Sequence, residues 1–363
     1  MKSLNELDKG RNNNFDLLRL FAATLVILSH SYLITGNFQS EPFIRLFGFI
    51  HLGAVGVGIF FTISGYLILK SLYRHKTIGQ FVWARSLRIF PGLFIASLFC
   101  AFIIGPISTN LPLLEYFKKG ETFEFIWRLS LLHNFKDMLP GVFINNPFPS
   151  RVNGPIWTLP AEILLYSEVV ILGVVIVFFK KQFKLLLRLL PLIILLILFF
   201  FKKSYPYWYM QYIIKDWGLM FNCGMMFYWL RNKIKISLYI LAGMLILLIV
   251  MIFLKFTFII YVFYGTLIYG VFTFAYHPKL YLEKYKNWGD FSYGLYIYAF
   301  PIQQVLTSNL KILNPIIHFL MAFTITLPLA ALSWYYIEKP MLSLKGFNFR
   351  KAEITPVNTL EEK

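Results

Sequence analysis

Leu17-Leu18-Arg19-Leu20-Phe21-Ala22-Ala23-Thr24-Leu25-Val26-Ile27-Leu28-Ser29-His30-Ser31-Tyr32-Leu33-Ile34-Thr35 is the stretch that decides the fold. It is an apolar run broken by one arginine and one histidine. Its length of about twenty residues is that of an α-helix crossing a hydrocarbon core about 30 Å thick. Such a helix satisfies its own backbone hydrogen bonds, which lipid requires of any spanning segment. Similar runs recur along the chain and predict ten spans, at 17–35, 49–70, 89–108, 156–179, 185–201, 212–230, 236–253, 257–276, 290–309 and 314–336. The predicted fold class is therefore all-α, a polytopic transmembrane bundle. Residues 1–345 form one membrane domain, and the polar tail 346–363 is expected to be disordered.

Composition supports this reading. Hydrophobic residues make up 58% of the 363 and charged residues 14%, against about 45–50% and about 25% in soluble domains. No cleavable signal peptide is expected, because the first fourteen residues are polar and no small-residue cleavage site follows the first run. The net charge of +18 lies in loops between apolar runs, so positive-inside anchoring explains it better than nucleic-acid binding. With a cytoplasmic N-terminus, 23 Lys and Arg fall on the inside and 11 on the outside. Both termini are then cytoplasmic. Trp157, Trp208, Trp229, Trp288 and Trp334 fall near span ends, as amphipathic rings should. Cys100 and Cys223 lie apart within apolar runs and make no disulfide framework or metal spacing.

Ionisable residues inside spans are costly and so become candidate functional groups. Arg19 and His30 are eleven residues apart, about three turns, so they share a helix face about 16 Å apart along the axis. Arg19 lies toward the cytoplasmic end and His30 toward the outer half. Imidazole can serve as a general base, but Arg19 can equally snorkel and His30 can be a satisfied bundle histidine. Glu162, in Trp157-Thr158-Leu159-Pro160-Ala161-Glu162, has a depth similar to that of His30. It can orient an imidazole or reach the headgroups from a capped helix start. Glu168, deeper in the same span, is a further candidate. Arg85 and Arg88 open the third span at its cytoplasmic end on one face. Paired guanidiniums suit phosphate, and they also suit ordinary inner-face anchoring.

Gly53, Gly56, Gly58 and Gly65 permit close helix approach. Ser64 has no Gly-x-Ser-x-Gly elbow around it. Tyr293, Tyr296 and Tyr298 read first as packing. His51, His133 and His318 show no metal-ligand spacing. The loop from residue 109 to 154 is long enough for a lid, and 123–135 suits an amphipathic helix lying on the outer surface.

Taken in order, the motifs resemble the integral-membrane acyltransferase-3 family, which includes bacterial O-acetyltransferases of cell-surface polysaccharides. Phe15-Asp16-Leu17-Leu18-Arg19 with His30 is similar to the opening motif of that family. The run Gly56-Val57-Gly58-Ile59-Phe60-Phe61-Thr62-Ile63-Ser64-Gly65-Tyr66 is similar to its second-span signature. Arg85 with Arg88-Ile89 and Pro91, Trp157-Thr158-Leu159 with Glu162, and Ser333-Trp334-Tyr335-Tyr336-Ile337-Glu338-Lys339-Pro340 are similar to the remaining three. The chain departs from the family at Leu17, where many members have Gly. It departs again at Tyr298-Ala299-Phe300-Pro301, where many have a His. The run Phe300-Pro301-Ile302-Gln303-Gln304 looks instead like a branch acting on exopolysaccharide, capsule or related glycans.

The resemblance implies an acyltransferase in a bacterial inner or plasma membrane, with acetyl-CoA or another acyl-CoA as co-substrate and a carbohydrate hydroxyl as acceptor. No bound cofactor and no metal is expected. His30 is then the catalytic base with Glu162 and Arg19 beside it, and Arg85 and Arg88 bind acyl-CoA. Asp16, Ser64, Gly65, Trp157, Tyr293 and Glu338 belong to motifs without an assigned role. The competing function is a secondary transporter using the Arg, His and Glu residues as a proton relay, although inverted repeats and paired broken helices are not evident. A non-catalytic sensor or scaffold is the third.

Overall fold

The computed structural model describes residues 1–10, 12–74, 77–132, 137–179, 216–283 and 288–346. The predicted fifth span and the tail beyond 346 lie outside the described residues, as do His133 and the start of the sixth span. The remaining runs are helices: α1 (Phe15–Ile34), α2 (Leu52–Arg74), α3 (Ile78–Phe99, continuing to Ser108), α4 (Thr158–Phe179), α5 (Gly218–Trp229), α6 (Leu238–Phe253), α7 (Ile259–Tyr276), α8 (Ser292–Leu310) and α9 (Pro315–Ser333). Among the described residues, six helices are long and apolar enough to cross a membrane, and α6 is a shorter apolar one. The α8 helix is not among the six. It is buried along almost its whole length, and its Ser292, Gln303, Gln304 and Thr307 are met by protein instead of lipid. A helix enclosed by others can carry polar groups that a lipid-facing helix cannot. Conversely, Leu245, Ile246, Ile249 and Phe253 of α6 are exposed, as an apolar face wetted by acyl chains should be.

Two expectations need correction. The third helix begins at Ile78, eleven residues before the predicted span. Thr77 caps it by accepting from the Gln80 N–H at 3.2 Å, and Phe81, Ala84 and Leu87 give it a buried face. Its polar first turns hid it from hydropathy, so Arg85 and Arg88 lie two to three turns inside α3 and do not open it. The continuous helix is 31 residues, about 46 Å at 1.5 Å per residue. The amphipathic helix in the long loop runs over Gly120–Ser130 and does not lie across the end of the bundle. Ser130 Oγ meets Ser97 Oγ at 2.9 Å, and Tyr116 donates to the Ala101 carbonyl at 2.8 Å. The segment therefore packs alongside the C-terminal half of α3, where Thr122, Phe125, Ile126 and Leu129 are buried.

Helix directions follow from the pairings. Ala22 meets Gly56 while Ser29 meets Gly53, so α1 and α2 are antiparallel. Phe61 stacks on Trp217 and the Trp229 Nε1–H donates to Tyr73 Oη, so α2 and α5 run parallel. The closest approach is between these two. A Cβ on Gly65 would lie 1.9 Å from the Phe221 carbonyl oxygen, and one on Gly224 would lie 2.3 Å from that of Thr62. The expected role of small residues holds here.

One end of the bundle is charged. Asp8 accepts from Lys70 at 2.6 Å, Tyr66 at 2.8 Å and Tyr276 at 2.9 Å. The other end is closed by loops. Glu41 caps two helices at once, through Phe43 and Ile44 N–H at 2.9 Å and Leu52 N–H at 2.7 Å. Pro301 in α8 has no N–H for the Ile297 carbonyl, and Asn153 Nδ2 takes that carbonyl at 2.8 Å. Gln304 adds bonds from Nε2 to the Phe148 and Arg151 carbonyls, both at 2.9 Å. The proline vacancy and its neighbour thus pin the long loop between α3 and α4 to the buried helix α8. Burial holds the Asp137 carboxyl of this loop above the usual carboxylate range, against the opposing pull of its partner Arg151.

Candidate active site

A cavity of about 120 Å³ lies among α1, α2, α3, α4 and α8. Its polar lining brings together Arg19, Ser64, Arg85, Arg88, Glu162, Tyr293 and Tyr296, all named from sequence, with Tyr166 added. Three helices, α1, α3 and α4, supply the charged groups, so only the bundle assembles them.

The arginines are held differently. Arg88 donates from Nη2 to Asp290 Oδ2 at 2.5 Å and from Nη1 to Glu338 Oε2 at 3.4 Å. The rings of Tyr293 and Trp334 cover it, with centroids at 5.6 and 5.9 Å. Arg19 reaches the same Asp290 oxygen at 3.3 Å and Asp16 at 3.4 Å. Arg85 makes no hydrogen bond or ion pair among the described residues, and its Nε is buried without a partner. Tyr166 donates a short hydrogen bond to Glu162, and Ser64 Oγ lies 3.4 Å from the Tyr166 hydroxyl. Glu162 is therefore held by its own helix neighbour four residues on. The Tyr293 hydroxyl donates to the Ile89 carbonyl at 2.6 Å. Trp157 packs on Trp217 at 4.8 Å. It is part of the aromatic wall and does not line the cavity.

His30 does not line this cavity. Its ring stands edge-on to Phe300 at 5.3 Å. The ring nitrogens have no hydrogen-bond partner among the described residues. The expected companion Glu162 is instead in the cavity with Arg19 and Arg85. The depth of His30 can be read across α2. Ser29 faces Gly53, and the uppermost α2 residue of the cavity is Val57, about 6 Å lower at four residues. The cavity thus ends about one turn short of the imidazole along α2. Phe300, which packs on His30, is covered by Gly154 and Phe148 of the loop between α3 and α4. His51 bonds Ser29 Oγ at 3.1 Å, and His318 bonds the Gln303 carbonyl at 2.8 Å, so both act structurally.

Two residues of the cluster escaped the sequence reading. Asp290 looked like the first residue of the ninth span, although a carboxylate at a span end on the same side of the predicted bundle as the three arginines was the available signal. Tyr166 follows Glu162 by four residues, the spacing that puts two side chains on one helix face. Glu168, the deeper candidate, accepts from Asn222 at 3.5 Å outside the cavity.

Comparison with known proteins bears on this arrangement. The model of the acyltransferase-3 family, described as an acyltransferase domain, matches residues 12–335. A protein named O-acetyl transferase, from Shigella phage Sf6, is 32% identical over 343 residues, which is 92% of this chain and 97% of that relative. Nodulation protein 10 of Rhizobium leguminosarum bv. viciae is 35% identical over 175 residues, 46% of each chain. No solved structure matches.

Proposed function

The chain belongs to the acyltransferase-3 family and is an O-acyltransferase, and from that premise we propose that it moves an acyl group from cytoplasmic acyl-CoA to a hydroxyl of a cell-surface glycan. The observation that carries this reading is the alignment along α1. A cation-lined cavity holds Arg19 at one level, and an imidazole that makes no hydrogen bond among the described residues stands three turns along the same helix. Anionic groups of the donor bind at the guanidinium level. The thioester arm extends toward His30, over an axial gap of about 16 Å. The neutral imidazole takes the proton of the acceptor hydroxyl as its oxygen attacks the thioester carbonyl. The C–S bond then breaks, and the thiolate leaves with CoA. Glu162, with Tyr166 and Ser64, lines the route between the two levels.

The proposed topology is ten spans with both termini in the cytoplasm. The described helices support it, since their directions fit strict alternation with one further span in 185–201. The loop charges support it through the positive-inside rule. In a chain lacking Cys100 and Cys223, Glu121→Cys should react with an impermeant thiol reagent on intact cells. Lys345→Cys should react only after permeabilisation. Labelling of both from the same side would overturn the topology and the donor side with it. For the reaction, surface glycan from cells with and without the protein is compared by mass spectrometry. An acyl mass increment present only with the protein is the expected result. Its absence, with purified protein that also fails to consume acetyl-CoA in the presence of that glycan, would overturn the assignment.

A further inference from the structure

The three arginines around the cavity do not have the same freedom, and the difference traces to one carboxylate. Asp290 is 7% exposed. Its Oδ2 receives Arg88 at 2.5 Å and Arg19 at 3.3 Å. Its Oδ1 receives both the backbone N–H and the hydroxyl of Ser292 at the start of α8. The turn that presents it is built for that place. Gly289 has φ +95°, which an L side chain rarely adopts, and a Cβ there would lie 2.4 Å from Trp334 Nε1. The same indole covers Arg88. Glu338, presented by the widened turn Trp334–Glu338, takes the second Arg88 nitrogen and is itself held by Ser333 Oγ at 3.1 Å.

The charge balance follows. Arg19 and Arg88 are held by Asp290, with Asp16 and Glu338 as their second partners. Arg85 has no hydrogen bond or ion pair among the described residues and lines the cavity, and Glu162, the carboxylate that lines it too, is taken by Tyr166. Like charges on neighbouring helices repel strongly where water is scarce. A carboxylate bridging Arg19 and Arg88 lets α1, α3 and α8 bring those arginines together. An arginine already committed at two nitrogens and covered on its faces has few donors left for a ligand.

We propose that Asp290 is a positioning residue that binds Arg19 and Arg88 into the protein, leaving Arg85 as the guanidinium that receives an anionic phosphate group of the donor. This rests on the acyl-CoA reading given above. It divides the arginine pair into one ligand-binding member and one structural member, although the two are a single turn apart on the same helix.

The test uses the full chain in detergent with CoA as the binding probe and acetyl-CoA as the donor. Arg85→Gln should weaken CoA binding at least tenfold, while Arg88→Gln changes CoA affinity less than threefold. Asp290→Asn should lower kcat more than tenfold, and Asp290→Glu should recover part of the loss. Removing one partner of a buried ion pair is often strongly destabilising, so Asp290→Asn can fail to fold. Ser292→Ala keeps the charge and removes a donor to Oδ1 together with a hydroxyl of the cavity lining, and it should lower kcat with little change in KM for acetyl-CoA. A double-mutant cycle over Asp290→Glu and Arg88→Lys in thermal stability reads the coupling directly, without any ligand. Equal losses of CoA affinity at Arg85 and Arg88, or additive losses in that cycle, would overturn the proposal. A wild-type protein that binds no CoA would overturn the donor assignment, whereas the coupling cycle still decides the role of Asp290.

Discussion

His30→Ala is expected to abolish acyl transfer while leaving CoA affinity within about twofold of wild type. General-base catalysis contributes about 10²–10⁴-fold, so the rate should fall by at least about a hundredfold. The separation of effects follows from geometry. The guanidiniums lie about three turns from the imidazole along α1, and His30 touches none of the residues that hold them. Its ring packs on Phe300 and spends neither nitrogen on the protein among the described residues. Losing it therefore removes little hydrogen-bonding stability. His30→Gln, which keeps a polar group of similar reach without a titratable nitrogen, should be equally inactive and controls for the packing defect. CoA affinity comes from calorimetry in detergent and the rate from transfer of labelled acetyl. Transfer at the wild-type rate by either variant would place the base elsewhere.

Gly65→Ala should cost about 3 kcal/mol or more, the upper range for overpacking in a close-packed interior. It should appear as a large loss of thermal stability or of monodisperse protein. Its sign is informative, because Gly to Ala inside a helix otherwise stabilises by about 0.5–1 kcal/mol. The new methyl would lie 1.9 Å from the Phe221 carbonyl oxygen and 2.7 Å from its carbon. Both are backbone, so no rotamer change relieves the clash and α2 must move off α5. That movement would also disturb Ser64, the adjacent residue, which lines the cavity. Gly243→Ala in α6 is the control, since nothing lies within 4 Å of its Cβ position. That variant should be as stable as wild type or more so. If Gly65→Ala melts with Gly243→Ala, the close α2–α5 approach is wrong.

The amino-acid sequence by itself determined the membrane architecture, because the cost of burying charge and unpaired backbone in lipid is paid locally, residue by residue along each run. Runs of apolar residues therefore announced most of the described helices to within a few residues. Where protein, not lipid, surrounds a helix, that local constraint weakens. The polar first turns of α3 were missed for this reason, and the hydropathy of α8 understates its central place. Ordered motifs along the chain brought out Arg19, Ser64, Arg85, Arg88, Glu162 and Tyr293 as candidates, and the bundle places all six in one cavity. Only the tertiary structure decided which of them are partners. Axial spacing along single helices had matched Glu162 to His30, yet relative depth between helices depends on tilt, length and the close contacts at Gly56, Gly65 and Gly224. The assembled bundle sets Glu162 in one cavity with Arg85, and it brings Asp290 between Arg19 and Arg88. Hydropathy registers how much a helix dissolves in lipid and says nothing of which side chain, 271 residues along the chain from Arg19, will neutralise its charge.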